Sequence, residues 1–174
     1  MKILSALVGC GLAVSAPLMA MQNIGSGGDV HFTISIRQGT CELQQENIEV
    51  EMGSVFLTKP FAVGRELNHK AFSIGLKNCA NVVKTYVTMD GLANGTDPTM
   101  FALDAGGAQN IALKIQTADG VIQSPKSTDN TPLTFNITAD GEAQLNYVAS
   151  YVPVTKDATA GAANATVNFS VEYE

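Results

Sequence analysis

The sequence predicts an all-β sandwich. Three observations carry that expectation: apolar and polar residues alternate in stretch after stretch, Asp-Gly pairs and lone glycines close those stretches, and no segment repeats its apolar residues at helical spacing. An extended chain with period two puts one set of side chains on a core face and the other in water.

Along the chain, Ile48, Val50 and Met52 alternate with Glu49 and Glu51 and stop at Gly53. Phe72, Ile74 and Leu76 alternate with Ser73, Gly75 and Lys77 and lead into Asn78-Cys79. Val83 to Met89 is rich in β-branched and aromatic residues and closes at the turn pair Asp90-Gly91. The Gly, Asn, Asp and Thr rich stretch from Gly91 to Gln109 reads as loop, with a short strand near Met100 to Leu103. Ile111, Leu113 and Ile115 precede Asp119-Gly120, and Leu133, Phe135 and Ile137 precede Asp140-Gly141. Leu145, Tyr147, Ala149 and Tyr151 repeat the pattern, Asp157 to Ala163 is a flexible loop of small residues, and Val167, Phe169, Val171 and Tyr173 close the chain. Turns at this spacing match an immunoglobulin-like sandwich, although the chain has no Trp for an antibody-type core.

The 174 residues suit one domain behind a short targeting segment. Met1 to Ala20 has a charge at Lys2, an apolar run from Ile3 to Val14 and the helix breaker Pro17, the form of a secretory signal. Its apolar core is short for a membrane span. Cleavage is expected after Ala20. Leu7-Val8-Gly9-Cys10 looks like a lipoprotein box, with only six residues before it. Removing the signal leaves Cys41 and Cys79, an even pair in an exported chain, and a disulfide is the expectation. Closing a loop of that length stabilises by about 3 to 4 kcal/mol on the chain-entropy account.

One alternating stretch lacks an evident partner. After a lead that ends Gly25-Ser26-Gly27-Gly28, Val30, Phe32, Ile34 and Ile36 alternate with His31, Thr33 and Ser35, up to about Arg37, and Gly39 breaks the run before Cys41. Periodicity alone allows the apolar face to pack within its own domain or on another copy.

The chain carries 10 basic and 16 acidic residues, which argues against nucleic acid or an anionic membrane as partner. Catalytic and metal sites find little support. His31 and His69 are the only histidines, His69 expected in a charged loop with Glu66 and Lys70, and a zinc set of these with Cys41 and Cys79 would compete with the disulfide. There is no Gly-x-Ser-x-Gly elbow, Gly106-Gly107 does not continue into a phosphate loop, and Asp90, Asp97 and Asp104 lack the Gly and Glu of a calcium loop. Sequons occur at Asn94, Asn136, Asn164 and Asn168, of which Asn136 and Asn168 fall on solvent-facing strand positions. No enzyme, cofactor or metal is expected.

Taken in order, these features resemble the structural subunits of bacterial chaperone-usher pili, near the type 1 fimbrial subunits. Val30-His31-Phe32, just before Cys41, is similar to their N-terminal extension, Cys41 and Cys79 to their bridge, and Ala108-Gln109-Asn110-Ile111-Ala112-Leu113 to their central strand. Gly161, fourteenth from the C-terminus, and the penultimate Tyr173, with Val167, Phe169 and Val171 between, are similar to the terminal pattern that the family's chaperones recognise.

The resemblance implies an incomplete immunoglobulin-like sandwich lacking its final strand, with a secretory signal at 1–20, an N-terminal extension at 21–38 and a pilin domain at 39–174. It implies that Val30, Phe32, Ile34 and Ile36 are donated to the groove of a neighbouring pilus subunit, edged by Gly161, Val167, Phe169, Val171 and Tyr173. A periplasmic chaperone is expected to lend a strand first and an outer-membrane usher to oversee the replacement, which places the product in a fimbrium at the cell surface. Many relatives carry Gly where this chain has Ile34. A fimbrial adhesin or minor tip adaptor binding a host glycan or protein is the alternative. A tip adhesin would be expected to carry a second, N-terminal lectin domain and no such extension.

Overall fold

The computed structural model describes residues 34–35, 38–56 and 62–174. The chain divides after Ser35 into two units, and the regular strands all belong to the second, Ile36–Glu174. Eight strands form: β1 (Thr40–Leu43), β2 (Leu67–Ala80), β3 (Lys84–Asp90), β4 (Phe101–Ala102), β5 (Ile111–Thr117), β6 (Leu133–Asn136), β7 (Gly141–Pro153) and β8 (Asn168–Tyr173). They make two antiparallel sheets, ordered β1-β2-β7-β5-β4 and β6-β3-β8. No helix occurs among the described residues.

The long antiparallel pair β2–β7 sets the frame, because its two strands alternate in step. Phe72 stands opposite Tyr147 and Ile74 opposite Leu145, so both apolar sets meet on one face. Ile74, Leu76, Leu145 and Tyr147 are essentially fully buried there, together with Leu113 and Ile115 of β5 and Val87 and Met89 of β3 from the facing sheet. Each such aliphatic side chain contributes about 1.5 to 3 kcal/mol. The Tyr147 ring stacks on Phe72 at 5.5 Å and tilts against Phe135 at 5.4 Å. Its hydroxyl donates to Gln123 Oε1 at 3.4 Å, and burial pushes the phenol above its ordinary range.

Cys41 and Cys79 form a disulfide that ties edge strand β1 to β2. The ladders slip beside it, between Thr40 and Glu42 on one side and Leu76 and Cys79 on the other. Asn78 sits at this bulge with φ 53°, a left-handed conformation that Asn tolerates, and its side chain donates to Glu42 Oε2 at 3.0 Å. The Asn-Cys pair therefore has a local reason: Asn turns the backbone so that the cysteine can face inward.

Four expectations are corrected. Ile48 to Met52 has the anticipated faces but is not a strand, because no neighbouring strand among the described residues ladders with it. Asp90-Gly91 does not turn: Asp90 stays in β3 opposite Asn168, and a Cβ on Gly91 would meet the Phe101 ring at 3.0 Å, so the glycine makes room for that ring. His69 and Lys70 belong to β2 rather than to a loop. Asp157 to Ala163, though irregular, is pinned by backbone hydrogen bonds. Asp119-Gly120 turns as expected, with Gly120 at φ 84° and its N–H donating to Thr117 O at 2.9 Å.

Candidate functional site: an open groove between the sheets

A groove of about 1140 Å3 opens along one side of the sandwich. Its floor is core: Ile74, Met89, Leu113, Ile115, Ala149 and Tyr151 all contribute to it. One wall is Glu46 to Val55 and the other Thr159 to Phe169.

The first wall follows β1 and keeps strand-like alternation without strand pairing. Ile48, Val50 and Met52 are partly buried, while Glu49 and Glu51 are exposed. It is held at both ends. The Gln44 N–H donates to Gly75 O at 2.8 Å and the Gln44 amide to Leu76 O at 3.2 Å, while the Asn68 side chain donates to Met52 O. Between those anchors, the backbone groups from Asn47 to Glu51 make no hydrogen bond among the described residues. A run of unpaired N–H and C=O groups beside an apolar floor is a template for an added strand.

The second wall is built by close backbone approach. Ala108 N donates to Ala162 O at 2.7 Å and Thr159 N to Gln109 O at 3.0 Å, and the Tyr151 hydroxyl donates to Ala163 O. Gly161 lies where a Cβ would stand 2.6 Å from Ala108 N, and a Cβ on Gly107 would collide with the Ala162 carbonyl oxygen. Both positions demand glycine for space. Beyond them the wall runs into β8, an edge strand paired only with β3 among the described strands.

The anticipated groove-edge residues separate into two groups. Gly161, Val167 and Phe169 line the groove. Val171 packs against the core further along β8, and Tyr173, opposite Thr85 and 41% exposed, is also outside the lining. Of the anticipated donor residues, Val30, Phe32 and Ile36 lie outside the described residues, and Ile34 is exposed.

A partly buried polar cluster joins Glu66 and His69, neighbours in the sequence, to Lys114 and Ser150, which no local pattern links to them. Lys114 Nζ donates to Glu66 Oε1 at 2.5 Å, Ser150 Oγ to Glu66 Oε2 at 3.3 Å, and His69 Nε2 lies 3.4 Å from Glu66 Oε2. The hydrogen bond from Lys114 holds the Glu66 carboxyl below its ordinary range, against the opposing effect of burial. Alternation assigns Lys114 to a solvent face, but Ala112, Ser150 and Val152 on that face are buried too. The one available signal is the lysine itself, placed inside the apolar run Ile111 to Ile115 of β5. Among the described residues no group of three His, Cys, Asp or Glu is placed to hold a metal ion.

A two-sheet sandwich with its apolar interior open along one side is the architecture of chaperone-usher pilins. It superposes on a subunit structure of a chaperone-usher pilus with a TM-score of 0.60 at 21% identity, over 91% of this chain and all of that one. The class is an incomplete immunoglobulin-like sandwich of the pilin type. The family model for fimbrial proteins matches residues 30–174, and the chain belongs to that family. It is 56% identical to protein LpfE of Salmonella typhimurium over the whole of both chains. It is also 46% identical to a probable fimbrial subunit, LpfE, of Escherichia coli O157:H7, over 97% of this chain and 92% of the other. The chain is thus a fimbrial structural subunit and not an enzyme.

Proposed function

We propose that this subunit polymerises by strand donation: Val30, Phe32, Ile34 and Ile36 of one copy fill the groove of a neighbouring subunit. The observation that carries the reading is the groove itself, an apolar floor beside a wall whose backbone groups from Asn47 to Glu51 have no partner among the described residues. An added strand would satisfy those groups while its alternate side chains cover the floor. Burying four apolar side chains contributes about 6 to 12 kcal/mol before ordering costs, comparable to a domain's whole stability.

The division into a signal at 1–20, a donor extension at 21–38 and a pilin domain at 39–174 belongs to this reading. So does the route: until a donor arrives the floor is an aggregation hazard, so a periplasmic chaperone covers it and an outer-membrane usher exchanges chaperone for subunit. Gly161, Val167, Phe169, Val171 and Tyr173 form the edge that chaperone and usher meet. The assembled product is a fimbrium at the cell surface.

Deleting Met21 to Arg37 from the mature chain tests the proposal. The truncated subunit is expected to be exported and to accept a strand, yet to add no further subunit beyond itself. Continued end-to-end polymerisation of the truncated chain, read as an oligomer ladder on unheated gels, would overturn strand donation.

A further inference from the structure

We propose that Asn68 is a positioning residue that sets the register of the groove's first wall, so that the edge offered to the opening strand of a second copy is in place before that strand arrives; the inference rests on the strand-donation reading. The Asn68 side-chain amide donates to Met52 O, and among the described residues this is the one hydrogen bond that reaches the stretch from Asn47 to Val55. Both partners have the backbone that the contact needs. β2 carries an extra residue here, since Leu67 pairs with Tyr151 and Lys70 with Ala149, and Asn68 sits in that bulge with φ 51°. Gly53, next after Met52, has φ 71°, and a Cβ on it would stand 3.7 Å from Asn68 Nδ2, so the wall turns where the amide meets it. Asn tolerates the left-handed conformation of the bulge and still supplies a donor.

Apolar packing alone does not fix this wall. Ile48 and Met52 pack against the core, which holds them close, but apolar contact is non-directional and lets the segment slide along the floor. A hydrogen bond is directional, so the bond to Met52 O sets where along β2 the wall lies. Register decides whether a strand can be accepted at all: a slip of one residue would turn Ile48, Val50 and Met52 outward and bring Glu49 and Glu51 over the floor. The second wall needs less help at the same end of the groove. The Tyr151 hydroxyl donates to Ala163 O there, but Ala162 O and Asn164 O on either side already accept from Ala108 N and Asp104 N. Once a donor strand has paired with Asn47 to Glu51, its own backbone bonds fix the first wall, and Asn68 becomes largely redundant. Its contribution therefore falls on capture of the strand, through preorganisation, and little on retention.

The test uses the full chain in fimbriated cells, with two readouts on the oligomer ladder: the time course of its appearance, normalised to exported subunit, and the temperature at which the assembled ladder dissociates. Asn68→Gly keeps the left-handed backbone and removes the amide; Asn68→Asp keeps the size and removes the donor, and it carries the test if the glycine variant is poorly exported. Each is expected to slow ladder formation about 3-fold to 10-fold, the factor that corresponds to the net loss of one hydrogen bond, with the dissociation temperature unchanged. Tyr151→Phe, which removes one oxygen and leaves the ring on the floor, is expected to slow it less. Wild-type rates in both Asn68 variants overturn the proposal, as does a dissociation temperature that falls in step with the rate, which is the signature of a merely structural role. A larger effect from Tyr151→Phe than from Asn68→Gly overturns it too. The deletion of Met21 to Arg37, run alongside, separates the two readings. If it abolishes the ladder while the Asn68 variants assemble at the wild-type rate, only the positioning role fails; if it leaves the ladder intact, strand donation fails with it.

Discussion

Phe72 to Leu76 and Ile48 to Met52 carry the same alternating pattern and face the same core, yet end in different states. The first lies in β2, laddered against β7 from Phe72–Tyr147 to Leu76–Ala143. Among the described residues the second is fixed only near its ends, by Gln44 and by Asn68, with no backbone hydrogen bond between. Alternation therefore encodes which side chains face the core, whereas pairing requires a neighbour at the right place. Where no neighbouring strand among the described residues ladders with it, the same pattern lines an open groove instead.

Mutation should separate the two stretches most strongly. Ile74→Ala is expected to cost about 2 to 5 kcal/mol, because a fully buried side chain leaves a cavity in a floor that cannot collapse. Val50→Ala, half-buried on an unpaired wall, is expected to cost less than about 1 kcal/mol in the same denaturant titration of the full chain. Equal losses would mean that the wall is as firmly integrated as β2, and the contrast would be lost.

The second wall allows a finer test. Gly161→Ala puts a methyl 2.6 Å from Ala108 N and is expected to cost about 1 to 3 kcal/mol, since backbone has to move. Gly95→Ala meets nothing within 4 Å and is expected to be neutral or slightly stabilising through the unfolded chain. Comparable melting temperatures for the two variants would remove close backbone approach as the reason for Gly161.

The smallest effect concerns the paired half. The carboxyl of Glu66 is held below its ordinary range by the hydrogen bond from Lys114, so its stabilisation is present above the ordinary carboxylate range and is lost as pH falls through the lowered value. At its partial exposure this amounts to at most about 1 kcal/mol. Glu66→Gln is expected to flatten the acid limb of a stability profile by that amount; an unchanged limb would show that the ion pair adds nothing.

Much of this fold was readable one strand at a time. The alternations at Phe72, Ile111, Leu133, Leu145 and Phe169 each became part of a strand, and even two-residue β4 fell within the short strand anticipated near Met100 to Leu103. The groove was legible only in part. Val167 and Phe169 line it and their alternation announced an inward face, but Val171 and Tyr173 share that alternation and lie outside the lining. Alternation fixes the side of a strand and says nothing of how far along it the floor extends. The alternation of Glu49 and Glu51 with Ile48, Val50 and Met52 predicts a strand with one solvated face; the faces are present, and the pairing that would make it a strand is absent among the described residues.

By itself, then, the sequence determined the class: period-two patterning, Asp-Gly and glycine punctuation, and the pair Cys41 and Cys79 that remains beyond the signal-like segment lead to a disulfide-bridged β-sandwich as the consistent answer, because these are local properties of the chain. The tertiary structure decided which alternating stretches found partners, why Gly161 has to be glycine, and where Lys114 met Glu66 across 48 residues. Those outcomes depend on distances between segments far apart in the chain, which no local pattern contains.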